Sequence, residues 1–259
     1  MKTKKILFLL AFSVMVVGCH QEKFNSFGDD GKLIDSNEPV KKLPWDYPVK
    51  PGTDAWAKFQ THDEMVAACQ IPEDILSNLS TEDLTDICLQ YPLLIDIFAF
   101  NIVNDGLDKL FSDFNGIKEL YRRKDLSVSL LKRYNEKIQN FSYLNGKVAD
   151  VDKGSFTMSV SILEALFSRV QEQNNEGTGF KEILKDLVAG YEGKLRYADY
   201  FKGTGFQFNF FSRAWVISKM DPEFISQLHG KDKDNVLYSG MLDERSINII
   251  NDWSYRLIK

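Results

Sequence analysis

A chain of 259 residues with 44% hydrophobic and 27% charged side chains has the composition of an ordinary globular protein, long enough for one large domain or two small ones. A formal charge of −5 without blocks of clustered Lys and Arg argues against nucleic acid as a partner, because phosphate binding needs concentrated positive charge. Three cysteines are too few for a dense disulfide framework.

Lys2, Lys4 and Lys5 precede an apolar run from Ile6 to Val17, interrupted only by Ser13 and closed by Gly18-Cys19. A cationic start, a short apolar stretch and a small residue before the cut are marks of a secretory signal. The run falls short of the about 18 apolar residues that read as a membrane span. Cysteine directly after the small residue makes the segment resemble a bacterial lipoprotein signal, which implies cleavage before Cys19 and acylation of that residue. An ordinary signal peptide with a chance cysteine is the alternative. Residues 1–18 are therefore expected to be removed, and residues 19–50 to form an acylated tether. The body is expected over residues 51–259, with an internal seam near 145–154. Losing the three signal lysines leaves 29 basic against 37 acidic residues, a formal net of −8. The lipid would hold the protein at the outer membrane, where stable attachment usually takes more than one acyl chain. His20 after the cysteine resembles an outer-membrane sorting class, and with only Glu22 close by, the leaflet stays open.

Asn25, Ser26, Gly28, Asp29, Asp30, Gly31 and Pro39 are turn and breaker residues without a sustained period. Pro44, Pro48 and Pro51 then punctuate an extended aromatic lead-in, Trp45-Asp46-Tyr47, expected to pack onto the body. Helical texture begins at Thr53. Thr61-His62-Asp63-Glu64 has the form of a capping box. Pro72-Glu73-Asp74 and Asp221-Pro222-Glu223 place proline and acids where a helix begins. Ser80 opens a helix carrying Leu84, Ile87, Cys88 and Tyr91 on one face. Leu93 to Val103, with only Asp96 and Asn101 polar, is expected to be an apolar helix buried at the centre.

Asn115-Gly116 signals a turn before Ile117, Leu120 and Tyr121. Apolar residues at helical spacing then mark Leu126 to Ile138, Phe156 to Val170, Phe180 to about Phe201, and Asp243 to Lys259. Only Phe206 to Phe210 alternates like a strand. The expected class is all-α: an irregular multi-helix globular bundle, with solenoid-like helix pairs left open. The repeated Gly-Thr-Gly-Phe at 177–180 and 203–206 does not extend into a repeat.

One stretch carries a family resemblance. Trp45-Asp46-Tyr47-Pro48-Val49-Lys50-Pro51-Gly52-Thr53, Ala68-Cys69-Gln70-Ile71-Pro72, Cys88-Leu89-Gln90-Tyr91-Pro92 and Phe114-Asn115-Gly116-Ile117-Lys118-Glu119-Leu120 make residues 45–135 resemble a family of exported lipoproteins of Bacteroides-type gut bacteria. The resemblance implies an exported compartment. It transfers no catalytic or binding residue.

Chemistry-bearing residues are sparse. His20, His62 and His229 fit no metal spacing, and no nucleophile elbow, phosphate loop or dinucleotide fingerprint occurs. No catalytic residue, metal ligand or cofactor is assigned. Cys69 and Cys88 could bridge in an exported compartment or stay as buried thiols. Asp96 is either a functional buried acid or a carboxylate stabilised by the start of its helix. The densest aromatic segment runs from Tyr191 to Trp215. There Phe208, Phe211 and Trp215 fall at i, i+3, i+7 and are expected in the core, while Phe206 and Phe210 face another way. Phe206, Phe210 and Arg213 are thus the candidate ligand-binding residues, and Cys19 the lipidation site. The expected function is a lipid-anchored envelope binding or interaction module, with a glycan or envelope protein as partner and the membrane held through the lipid. A glycan-active or envelope-remodelling enzyme and an accessory subunit of an outer-membrane complex are the alternatives.

Overall fold

Helix starts are the most explicit signals in this chain, and side chains close them as their chemistry requires. A computed structural model describes residues 42–259 apart from Gly203, Gly230 and Lys231; the signal, Cys19, His20 and most of the tether lie outside the described residues. Thr61 and Glu64 form a complete capping box on α1 (His62–Ala68). Pro72 stands at the cap of α2 (Glu73–Leu76), one position earlier than expected. Ser80 Oγ accepts from the Asp83 amide at the head of α3 (Thr81–Leu89). The chain continues through α4 (Val103–Asp113), α5 (Asn115–Leu120), α6 (Leu126–Gln139), α7 (Asp150–Phe167), α8 (Phe180–Leu195), α9 (Thr204–Met220) and α10 (Glu223–Gln227). A helical turn, Asp232–Asp234, runs into a π-helical turn, Asn235–Ser239, before α11 (Glu244–Ile258), which Asp243 caps. No strand occurs among the described residues, and the fold is all-α.

Three expectations about the interior change. Leu93–Val103 is not a buried central helix: Leu94–Ala99 is a 3₁₀ segment that buries Leu94 and Ile97 but leaves Ile95 and Phe100 exposed. Phe100 and Ile102 are extended, so α4 has to start afresh at Val103. Gly106 of α4 lets the segment lie flat on it, because a Cβ there would stand 2.4 Å from the Ile97 carbonyl oxygen. The central helix is instead α9, in which every residue from Phe208 to Ala214 is buried. The stretch 145–154 is not wholly a connection, since α7 begins within it at Asp150. One apolar cluster runs from Tyr47 to Trp253.

The aromatic lead-in belongs to the body, as its composition suggested. Tyr47 is buried, donates to the Ile87 carbonyl at 2.9 Å, and packs near Tyr91 and Phe114. Asn115 then ties the first helices to the next by pairing both ways with the Ile71 backbone. Its Oδ1 accepts from the Ile71 amide at 3.0 Å and its Nδ2 donates to the Ile71 carbonyl at 2.7 Å. On α6, Arg133 forks onto Asp86 of α3 with bonds of 2.5 and 2.6 Å and also reaches Glu136. Burial alone would lower the pKa of this guanidinium, but its bonds to Asp86 and Glu136 outweigh that and raise it.

The neighbouring residue on α6 points into a second polar centre. Glu164 of α7 and Lys194 of α8 form an ion pair with both side chains fully buried at 0% exposure. Tyr134 Oη donates to Glu164 Oε1 at 2.8 Å and Asn209 Nδ2 of α9 donates to the same oxygen at 2.9 Å. Lys194 Nζ also donates to the Gly205 carbonyl at 2.5 Å. Four helices therefore meet at one carboxylate. Burial pulls the Lys194 ammonium below its usual range, with Glu164 pushing back, while burial first and Glu164 second push the Tyr134 phenol up and keep it a donor.

Gly190 makes room for that centre, since a Cβ there would stand 1.8 Å from Tyr134 Oη. Gly190→Ala is expected to push Tyr134 off Glu164 and destabilise the protein by about 1–3 kcal/mol, the usual range for overpacking. The denaturant midpoint checks this, and an unchanged midpoint would contradict the account.

Candidate functional site

A helix buried on nearly all sides still has ends and edges, and α9 opens to solvent near its start. There Phe206, Gln207 and Phe210 face the loop-rich stretch before α11, and between them lies an open groove of about 560 Å³. Asn235, Gly240, Met241, Leu242, Asp243 and Ile247 complete its lining. Gln207 fixes the opposite wall by donating to the Gly240 carbonyl at 2.9 Å. Gly240 ends the π-helical turn at φ 68°, where an L side chain would be strained and a Cβ would stand 2.6 Å from Val103 Cγ2. A side chain at Gly240 is therefore excluded, and Met241 beyond it is 60% exposed at the rim.

The three sequence candidates fall in one region but differ in environment. Phe206 is half-buried and lines the groove. Phe210 lines it too, yet it is buried, against the expectation of an exposed contact, because its ring packs on Tyr191 at 5.1 Å. Trp215, expected in the core, is only half-buried; its Nε1 donates to the Val170 carbonyl and Lys219 lies over its ring. An i, i+3, i+7 spacing implies one buried face, whereas α9 buries all of them through Phe208–Ala214. Arg213 does not line the groove. It is fully buried behind Phe210, with its guanidinium carbon 5.4 Å from that ring and 5.1 Å from the Tyr191 ring. Arg213 Nε donates to Ser254 Oγ of α11 at 3.0 Å, and burial draws its pKa down to about 10, so it stays charged at neutral pH.

The other chemistry-bearing residues resolve into structural ties. His62 Nε2 lies 2.7 Å from Asp96 Oδ2, joining α1 to the 3₁₀ segment on a partly exposed surface; Asp96 is thus not a buried acid, and it stands in the first turn of that segment, as the helix-start alternative expects. His229 is exposed. Cys69 and Cys88 are free and buried; burial pushes the Cys69 thiol up to about 11 and the Cys88 thiol up as well, which makes both poor nucleophiles. Among the described residues no group of three or more His, Cys, Asp or Glu could hold a metal ion, and no helix is long and apolar enough to cross a membrane. No family model, curated protein or solved structure matches this chain.

Of the groove residues outside α9, the sequence marks only Asp243 and Ile247, and it marks them as parts of the terminal helix rather than of a site. Burial sets the expected effects of truncation. Phe210→Ala and Phe211→Ala should each destabilise by about 3–5 kcal/mol, and Phe206→Ala by distinctly less. Denaturant midpoints of the three variants check the order; equal losses at Phe206 and Phe211 would contradict it.

Proposed function

We propose that this protein is a lipid-anchored binding module of the cell envelope, whose groove beside α9 takes a small ligand with an apolar body. The groove carries this reading. Its volume of about 560 Å³ falls within the range of about 300–1,000 Å³ common for small-molecule sites. Phe206, Phe210, Met241, Leu242 and Ile247 supply apolar walls, and Asn235 and Asp243 supply polar groups. Flat interfaces between proteins need far more area than such a cleft presents. The left-handed Gly240 and the Gln207 bond support a preformed wall, which limits the ordering needed on binding.

Anchoring rests on the resemblance of residues 1–19 to a lipoprotein signal. Cys19→Ala should leave the body folded and release the protein from membranes. Membrane fractionation reads the result, and retention that still requires detergent would contradict the anchor.

A neutral apolar fluorophore such as N-phenyl-1-naphthylamine should bind the full chain saturably. Met241→Asp puts a charge at the rim and should weaken that binding at least tenfold, equivalent to about 1.4 kcal/mol. Its stability should change by no more than about 0.5 kcal/mol, as for other exposed substitutions. Saturable binding that Met241→Asp leaves unchanged would place the site elsewhere.

A further inference from the structure

Arg213 is a charge inside the protein with four of its five N–H donors unused. It is 0% exposed, and neither terminal nitrogen has a hydrogen-bond partner. The Glu164 carboxylate is already held by Lys194, Tyr134 and Asn209. Rings lie against the guanidinium at Tyr191 and Phe210, and Nε is used by Ser254. What remains is the edge bearing the two terminal nitrogens, the fork that pairs with a carboxylate through parallel bonds.

Stability is a weak reason to keep such a residue, because the Ser254 bond and two ring contacts offset only part of the cost of burying an unpaired charge. Position gives a stronger one. Phe210 lies against Arg213 and also lines the groove, so one ring is shared between the unpaired guanidinium and the ligand space. On α11, Asn251 stands between the groove residue Ile247 and Ser254, and its buried Oδ1 also lacks a partner. Four residues from Ile247 and three from Ser254, Asn251 lies by helical periodicity on the face of α11 that carries both.

We infer that Arg213 is the anion-binding residue of this groove, and that its ligand is a carboxylate carried on an apolar body. The carboxylate takes the two terminal nitrogens as Phe210 moves aside, and the apolar body lies along Phe206 and Met241. This rests on the groove being a ligand site, as proposed above. The same chemistry is offered by a free fatty acid and by the C-terminus of a short apolar peptide.

Calorimetric titration of the full chain at pH 7 with octanoate, octan-1-ol and acetyl-Ala-Ala-Leu tests the inference. At least one of the two carboxylates should bind at least tenfold tighter than the alcohol, and the tighter of the two identifies the source. Arg213→Met should abolish that preference without lowering the thermal midpoint. Arg213→Lys, which keeps the charge but not the fork, should retain only part of it. If the alcohol binds as well as both carboxylates, the Arg213 assignment fails while the groove stands, and bridging water satisfies the guanidinium. If no probe binds, the groove reading fails and takes the assignment with it. Should Arg213→Met not fold, that instability itself counts against the inference, and the comparison of acid with alcohol on the native chain still decides.

Discussion

The buried carboxylate of Glu164 sets the geometry of the larger part of this fold. An ion in the interior is tolerated only when its charge and its lone pairs are met by well-placed donors. Here α8 supplies the cation through Lys194, α6 a phenol through Tyr134, and α9 an amide through Asn209. Each donor constrains the rotation of its helix, and apolar packing alone would leave those rotations less strictly specified. Lys194 adds a further constraint by donating to the Gly205 carbonyl near the start of α9. Because Arg133 and Tyr134 are adjacent on α6, the same helix fixes α3 through Asp86 and the four-helix centre through Glu164.

The groove follows from that arrangement. With α9 surrounded, its first turns project Phe206, Gln207 and Phe210 toward the turn that ends at Gly240, to which Gln207 is hydrogen-bonded. The aromatic density of this segment is therefore shared between two jobs. Phe208 and Phe211 fill the interior, and Phe206 stands at the opening. Arg213 belongs to the interior by position and to the groove by its contact with Phe210.

Helix class and helix starts were legible in the sequence because they are local. Thr61-x-x-Glu64, Ser80 and Asp243 act within three residues of themselves, and the structure places each at a cap. The identity of the central helix was not legible. Leu93–Val103 is the more apolar stretch, yet it includes a 3₁₀ segment lying close on Gly106, with only part of its apolar side chains buried. Conversely α9 looks mixed, because Asn209, Ser212 and Arg213 interrupt its aromatics. Their partners lie 22 to 48 residues away in the chain, beyond the reach of any periodicity argument. The candidate site was half-legible for the same reason: Phe206 and Phe210 announced themselves by density, whereas Met241, Leu242 and Ile247 join them only through tertiary packing.

The central claim is that the Glu164–Lys194 pair works as one unit holding helices together. A double-mutant cycle with Glu164→Leu and Lys194→Met, read by denaturant midpoints, tests it most directly. Each single change strands a buried partner and should destabilise by about 3–5 kcal/mol, while the double variant strands neither and should lose no more than the worse single. Losses that simply add would contradict the account.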